Sequence, residues 1–213
     1  MAGITSLLRA IYRGGGGEDE RSLVTDRRSN LLTAFGLPDY TELVRMGVVW
    51  SAMNTTAIAA LVVRPSTAAN FTLFNNEPEG GLTYIVLRAF AFNLVTTTAE
   101  ARSGLWLCAH PRGLASPTND ITARASHSCK ANYGGRAIGD TGMVVTDNGW
   151  QPWGQTTDVE PTGVLPGAVL TVEVKGMILV PPQTGVSTQV VSSVVGNTFT
   201  SGFTWAEVQL DML

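Results

Sequence analysis

This chain has little of what most functional sites are built from. Its 213 residues contain two cysteines, two histidines and two lysines. Twelve arginines against seventeen acidic residues leave a net charge of −3. That balance gives no electrostatic case for binding nucleic acid or an anionic membrane, so neither is expected as a partner. No apolar run reaches the roughly 18 residues of a membrane span. Met1–Tyr12 is interrupted by Arg9 and is too short for the core of a signal peptide, so a soluble protein made in a cytoplasm is expected. On that expectation the Asn-x-Thr triplets at Asn54 and Asn70 carry no meaning as glycosylation sites.

Catalytic signatures are missing too. Gly14–Gly17 has neither a strand before it nor a Gly-Lys-Ser/Thr ending, and Gly-x-Ser-x-Gly does not occur. A Ser/His/Asp relay would have to use His110 or His127. Asp140, Asp147, Asp158 and Glu160 could pair for glycoside hydrolysis, but carboxylates in loops between strands are ordinary. No enzyme is expected.

Charge is also unevenly spread. Residues 1–46 hold six arginines and six acidic residues, leaving eight basic and eleven acidic side chains for the remaining 167. An isolated soluble surface carries about a quarter charged residues or more. Much of the body's surface is therefore expected to face other subunits.

What the chain does have is strand pattern. Gly is abundant at 23 residues, Thr and Val recur, and the composition favours an all-β fold. Ala168–Val180 alternates apolar and polar with period two, between Pro166-Gly167 and Pro181-Pro182. It is long for a strand, and Gly176 is expected to mark a bulge or bend. Thr83–Val95 is apolar at both parities and reads as a central strand, with Arg88 in need of an acidic or carbonyl partner. Further strands are expected at Val48–Ala52, Thr55–Arg64, Asn70–Phe74, Gly104–His110, Met143–Thr146, Thr188–Val195 and Phe203–Leu210. The sum is an antiparallel β-sandwich, jelly-roll-like, over residues 47–213.

Residues 1–46 read as an attachment arm, extended and partly helical. Ile4, Leu7, Leu8 and Ile11 fall on one face of a short helix, with Tyr12 beside them. A helix of that length is not stable alone and must dock, which makes these five residues the candidate partner-binding set. Gly14–Gly17 supplies a hinge. Asp39–Gly47 reads as a second short helix, capped by Asp39 and stopped by Gly47.

Two constellations could carry chemistry. If the segments around Cys108-Ala-His110 and His127-Ser-Cys129 paired antiparallel with Cys108 opposite Cys129, His110 would lie opposite His127. Cys108, His110, His127 and Cys129 could then ligate zinc; a Cys108–Cys129 disulfide or four unlinked residues fit the pattern as well. Trp150 and Trp153, near Asp147 and Asn148, could form a sugar-stacking platform, or could plug a sandwich end or an interface.

Leu32–Leu61 (LTAFGLPDYTELVRMGVVWSAMNTTAIAAL), Leu73-Phe-Asn-Asn-Glu-Pro and the strand Thr83–Val95 resemble the small structural virion proteins of tailed bacteriophages. The resemblance implies a capsid- or tail-bound β-sandwich that decorates or cements a capsid, or builds a connector or fibre. It implies a homo-oligomer, a trimer above all, held through its N-terminal arm to other virion proteins such as the major capsid protein. No cofactor is implied. The alternative is a carbohydrate- or receptor-binding module using the Trp150/Trp153 loop.

Overall fold

The computed structural model describes residues 40–95, 101–111, 117–118, 121–126, 135–159 and 169–210, apart from the side chains of residues 95 and 154–159. Contacts group the chain into Met1–Pro38 and Asp39–Leu213, and every described residue belongs to the second group. The first expected helix, with Ile4, Leu7, Leu8, Ile11 and Tyr12, lies outside the described residues.

The two stretches with the longest apolar patterns become two of the longest strands. Among the described residues the strands are β1 (Val49–Met53), β2 (Ile58–Ala59), β3 (Phe71–Asn75), β4 (Thr83–Val95), β5 (Ala101–His110), β6 (Arg124–Ala125), β7 (Ala137–Thr141), β8 (Gln151–Val159), β9 (Val169–Val180), β10 (Gly185–Ser192) and β11 (Thr198–Val208). They form two antiparallel sheets. The larger runs β6-β1-β11-β4-β9, with β2 also on β11; the smaller runs β7-β3-β10-β5-β8. The fold is an all-β sandwich.

Its pairings are nested. β1 pairs with β11, β3 with β10, β4 with β9 and β5 with β8, all antiparallel. The chain thus behaves as one long hairpin, rolled so that β11 also meets β4 and β10 also meets β5.

Between the sheets lies a continuous core that includes Phe71, Leu73, Tyr84, Val86, Leu105, Leu107, Leu170, Val174, Val186, Val190, Phe199, Phe203 and Trp205. Phe71 tilts against Phe203 at 6.1 Å between ring centroids, and Tyr84 against Trp205 at 6.3 Å. Fully burying a side chain of this size contributes about 1.5–3 kcal/mol, offset by chain entropy.

Buried amides tie off the strand ends. Asn75 donates from Nδ2 to the carbonyls of Leu82 and Val180 (2.8 Å each), joining β3 of one sheet to the end of β9 in the other. Asn54 donates to Asn70 Oδ1 at 3.0 Å, and Asn70 donates to the Phe199 carbonyl. Both asparagines of the Asn-x-Thr triplets are therefore consumed inside the fold.

Several expectations shift. Met143–Thr146 is not a strand; it makes one bridge, Val144 to Ala68. β6, β7 and β8 were not expected. Gln151–Val159 (QPWGQTTDV) lacks apolar alternation, and its Pro152 is tolerated because β8 is the edge of its sheet. The expected second helix is α1 (Thr41–Arg45). Its N-cap is Tyr40 in the left-handed conformation rather than Asp39, and Gly47 follows with φ +70°. The compact unit holding the sheets starts at Asp39, so α1 goes with the sandwich and not with an arm ending at residue 46.

Candidate functional site

The outer face of the larger sheet is built in rows by its register. One row runs Val49–Ala206–Ile85–Leu179 across β1, β11, β4 and β9. α1 lies over this half: Tyr40, Leu43 and Val44 pack against Val49, Leu87 and Ala206. Leu87, on an outward face, is consequently only 4% exposed.

The next row is polar and crosses the whole sheet, as Arg124–Ser51–Thr204–Arg88–Glu173. Ser51 and Thr204 share a hydrogen bond of 2.7 Å. Arg88 finds its expected acidic partner in Glu173, Nε to Oε1 at 3.6 Å, and also donates to Thr171 Oγ1. Its guanidinium sits 5.9 Å from the centroid of the Phe90 ring.

Beyond this belt the face is apolar and has no helix over it. Met53 pairs with Gly202, Gly202 with Phe90, and Phe90 with Thr171; next come Phe92 and Val169. Gly202 is required by crowding, because a Cβ there would stand 2.1 Å from the Ala52 carbonyl oxygen. Its bare backbone leaves room for Phe90 across the ladder, and the Phe90 and Phe92 rings lie 5.7 Å apart. Met53, Leu94 and Val169 are 41%, 38% and 43% exposed.

The edge of this sheet is shaped as well. Opposite Leu87, β9 inserts extra residues, with Lys175 at φ +51° and Gly176 at φ +77°. Gly176 marks the expected bulge. A bulged edge bearing Glu173 and Lys175 resists edge-to-edge addition of another strand.

The smaller sheet has a different outer face. Trp150, Met143, Val145 and Ala69 pack over Cys108, with Trp106 beside them. His110 lies directly over Gly185, whose missing side chain makes the space. His110 Nε2 and Ser187 Oγ are 3.0 Å apart, and Ser187 shares a second hydrogen bond of 2.7 Å with Thr72. His110 is 3% exposed, and its Nδ1 makes no hydrogen bond of normal geometry among the described residues. Burial pushes the imidazole down to about 4, with the Asp147 charge and the Pro111 backbone acting the other way. Burial, helped by Asp147, pushes the Cys108 thiol up to about 12.

These groups clasp β3, β10 and β5 together. Ser187 and Cys108 are fully buried, so neither is placed to meet a substrate. Asp140 accepts from the Thr118 amide and Asp147 from the Gly149 amide, so both serve the loops. Asp158 stands opposite Arg102 in the ladder, and Glu160 lies outside the described residues.

Of the zinc candidates, Cys108 and His110 share this face, while His127 and Cys129 lie outside the described residues. Cys108 is a free thiol. No group of three or more metal-binding side chains occurs among the described residues. Trp150 and Trp153 do not form a joint platform. Trp150 is 1% exposed within the outer cluster, whereas Trp153 packs against the core between the sheets. They lie on opposite sides of the smaller sheet, because three residues separate them along an alternating strand.

The chain matches no protein-family model and no curated protein. Its function is therefore argued from its own surfaces. No helix among the described residues is long and apolar enough to cross a membrane. Sequence reasoning missed Met53, Gly202, Phe90 and Phe92 as one surface, although Phe90 and Phe92 share a parity in Thr83–Val95. The signal lay in register, which joins Met53 to residues well over a hundred positions away.

Proposed function

We propose that this chain is a structural protein of a bacteriophage virion, a subunit that decorates or cements a capsid or builds a connector or fibre. The observation that carries the reading is the uncovered apolar half of the larger sheet's outer face, on a body with only 19 charged residues in its last 167. Apolar surface left contiguous on a charge-poor domain marks a place meant to be covered.

We further read the sandwich as a jelly roll. The nested pairs and the orders β1-β11-β4-β9 and β3-β10-β5-β8 fit the eight-stranded double Greek key, with β2, β6 and β7 as additions. Capsid, lectin and cupin domains all use that architecture, so it supports the reading without deciding it.

In this proposal the subunit forms a homo-oligomer, a trimer by expectation, and works by buried area repeated around an axis. Residues 1–46 hold it to other virion proteins such as the major capsid protein, through Ile4, Leu7, Leu8, Ile11 and Tyr12. The test is a chain lacking residues 1–20. It folds as judged by circular dichroism and no longer joins particles. Normal incorporation of the truncated chain would overturn the proposal.

A further inference from the structure

We infer that the uncovered half of the larger sheet's outer face is a twofold contact with a second copy of this chain. The inference rests on the virion-subunit reading and names the surface that reading leaves open.

The face commits to its own copy by charge. Arg88 and Glu173 are adjacent in one row, each about half exposed, and their 3.6 Å separation leaves both able to take a further partner. A half-turn about an axis along the strands, between β4 and β9, sets Arg88 of each copy over Glu173 of the other. The same operation sets Phe90 over Thr171 and Phe92 over Val169, because these are also row neighbours. A patch of single sign would repel its own image; this one attracts it. Arg124, at the far end of the belt, is three strand spacings from Arg88, about 14 Å, beyond the screening length.

The mode of contact follows from the edge. The Lys175–Gly176 bulge obstructs strand addition at β9, leaving face-to-face packing as the way to cover Phe92, Met53 and Val169. Strand spacing and rise make the patch about 20 by 17 Å, so two copies bury on the order of 1,000 Å², the small end of specific interfaces. Such a contact is twofold. In an assembly of threefold rings it links rings rather than closing them.

The test is sedimentation of the full chain from ~1 to ~300 µM, with Arg88→Glu, Glu173→Arg and the double swap. Each single variant places like charges face to face and raises the dissociation constant of the pair at least about tenfold; the double swap restores it. Thermal melts check that all three variants stay folded, as half-exposed substitutions should. Self-association unaffected by either single variant would overturn the contact while leaving the virion reading intact. A wild-type chain that stays monomeric throughout would also overturn it, whereas the virion reading falls only on normal particle incorporation of the truncated chain.

Discussion

The two sheets of this sandwich close off their outer faces in different ways. The smaller sheet is covered by its own chain: Met143, Val145 and Trp150 seal Cys108, and His110 fills the space over Gly185. The larger sheet is covered over only half its face, by α1, and the polar belt from Arg124 to Glu173 marks where the cover stops. The difference teaches where a partner is needed. A face satisfied by its own loops has nothing left to offer, whereas Phe92, Met53, Leu94 and Val169 keep apolar surface in water at about 25 cal/mol per Å².

The sharpest way to break this comparison is to cut side chains on either side of the belt. Leu87→Ala, under α1, should cost about 2–5 kcal/mol in denaturant unfolding. Met53→Ala, on the open half, should stay within about 0.5 kcal/mol for the dissociated chain. Equal losses at the two positions would mean that the halves do not differ.

The smaller sheet's seal can be tested with acid. The folded state holds His110 neutral down to about 4, against 6.5 when unfolded. The unfolded chain therefore binds the extra proton first, and stability falls as pH drops from 6.5 through 4. The loss is about 3 kcal/mol at most, on the order of 1.4 per pH unit. His110→Gln should flatten that part of the stability–pH curve, measured by urea unfolding at intervals of half a pH unit. A variant with the wild-type slope would contradict the clasp.

Gly202→Ala should cost about 1–3 kcal/mol by pressing on the Ala52 carbonyl between β1 and β11. Cys108 gives the smallest effect. Its thiol should resist alkylation at neutral pH in the folded protein and react fully only once denatured. A Cys108→Ala background that leaves the fast-labelling signal unchanged would attribute any prompt reaction to Cys129.

How much of this was legible beforehand depends on the range of the interaction. β4 and β9 were readable because Thr83–Val95 and Ala168–Val180 carry apolar patterns that do not need a partner to be seen. The need of Arg88 for an acidic partner was legible; that the partner would be Glu173 was not, since it depends on register across eighty-five positions. β8 was hidden because an edge strand with Pro152 and Gly154 buries too little to impose alternation. Trp150 was misread as a surface group because nothing local says that Met143 and Val145 fold back beside it over Cys108. α1 looked like part of an arm for the same reason. Its apolar residues are obvious, but the sheet that receives them lies further along the chain.

The central claim is that this chain is an assembly subunit whose open half-face is covered by copies of itself. Native mass spectrometry of the purified full-length protein across a concentration series tests it most directly. The account predicts discrete oligomers that Arg88→Glu dissociates and the Arg88→Glu, Glu173→Arg swap reassembles. A chain that remains a monomer at every concentration, with wild type and variants alike, would contradict it.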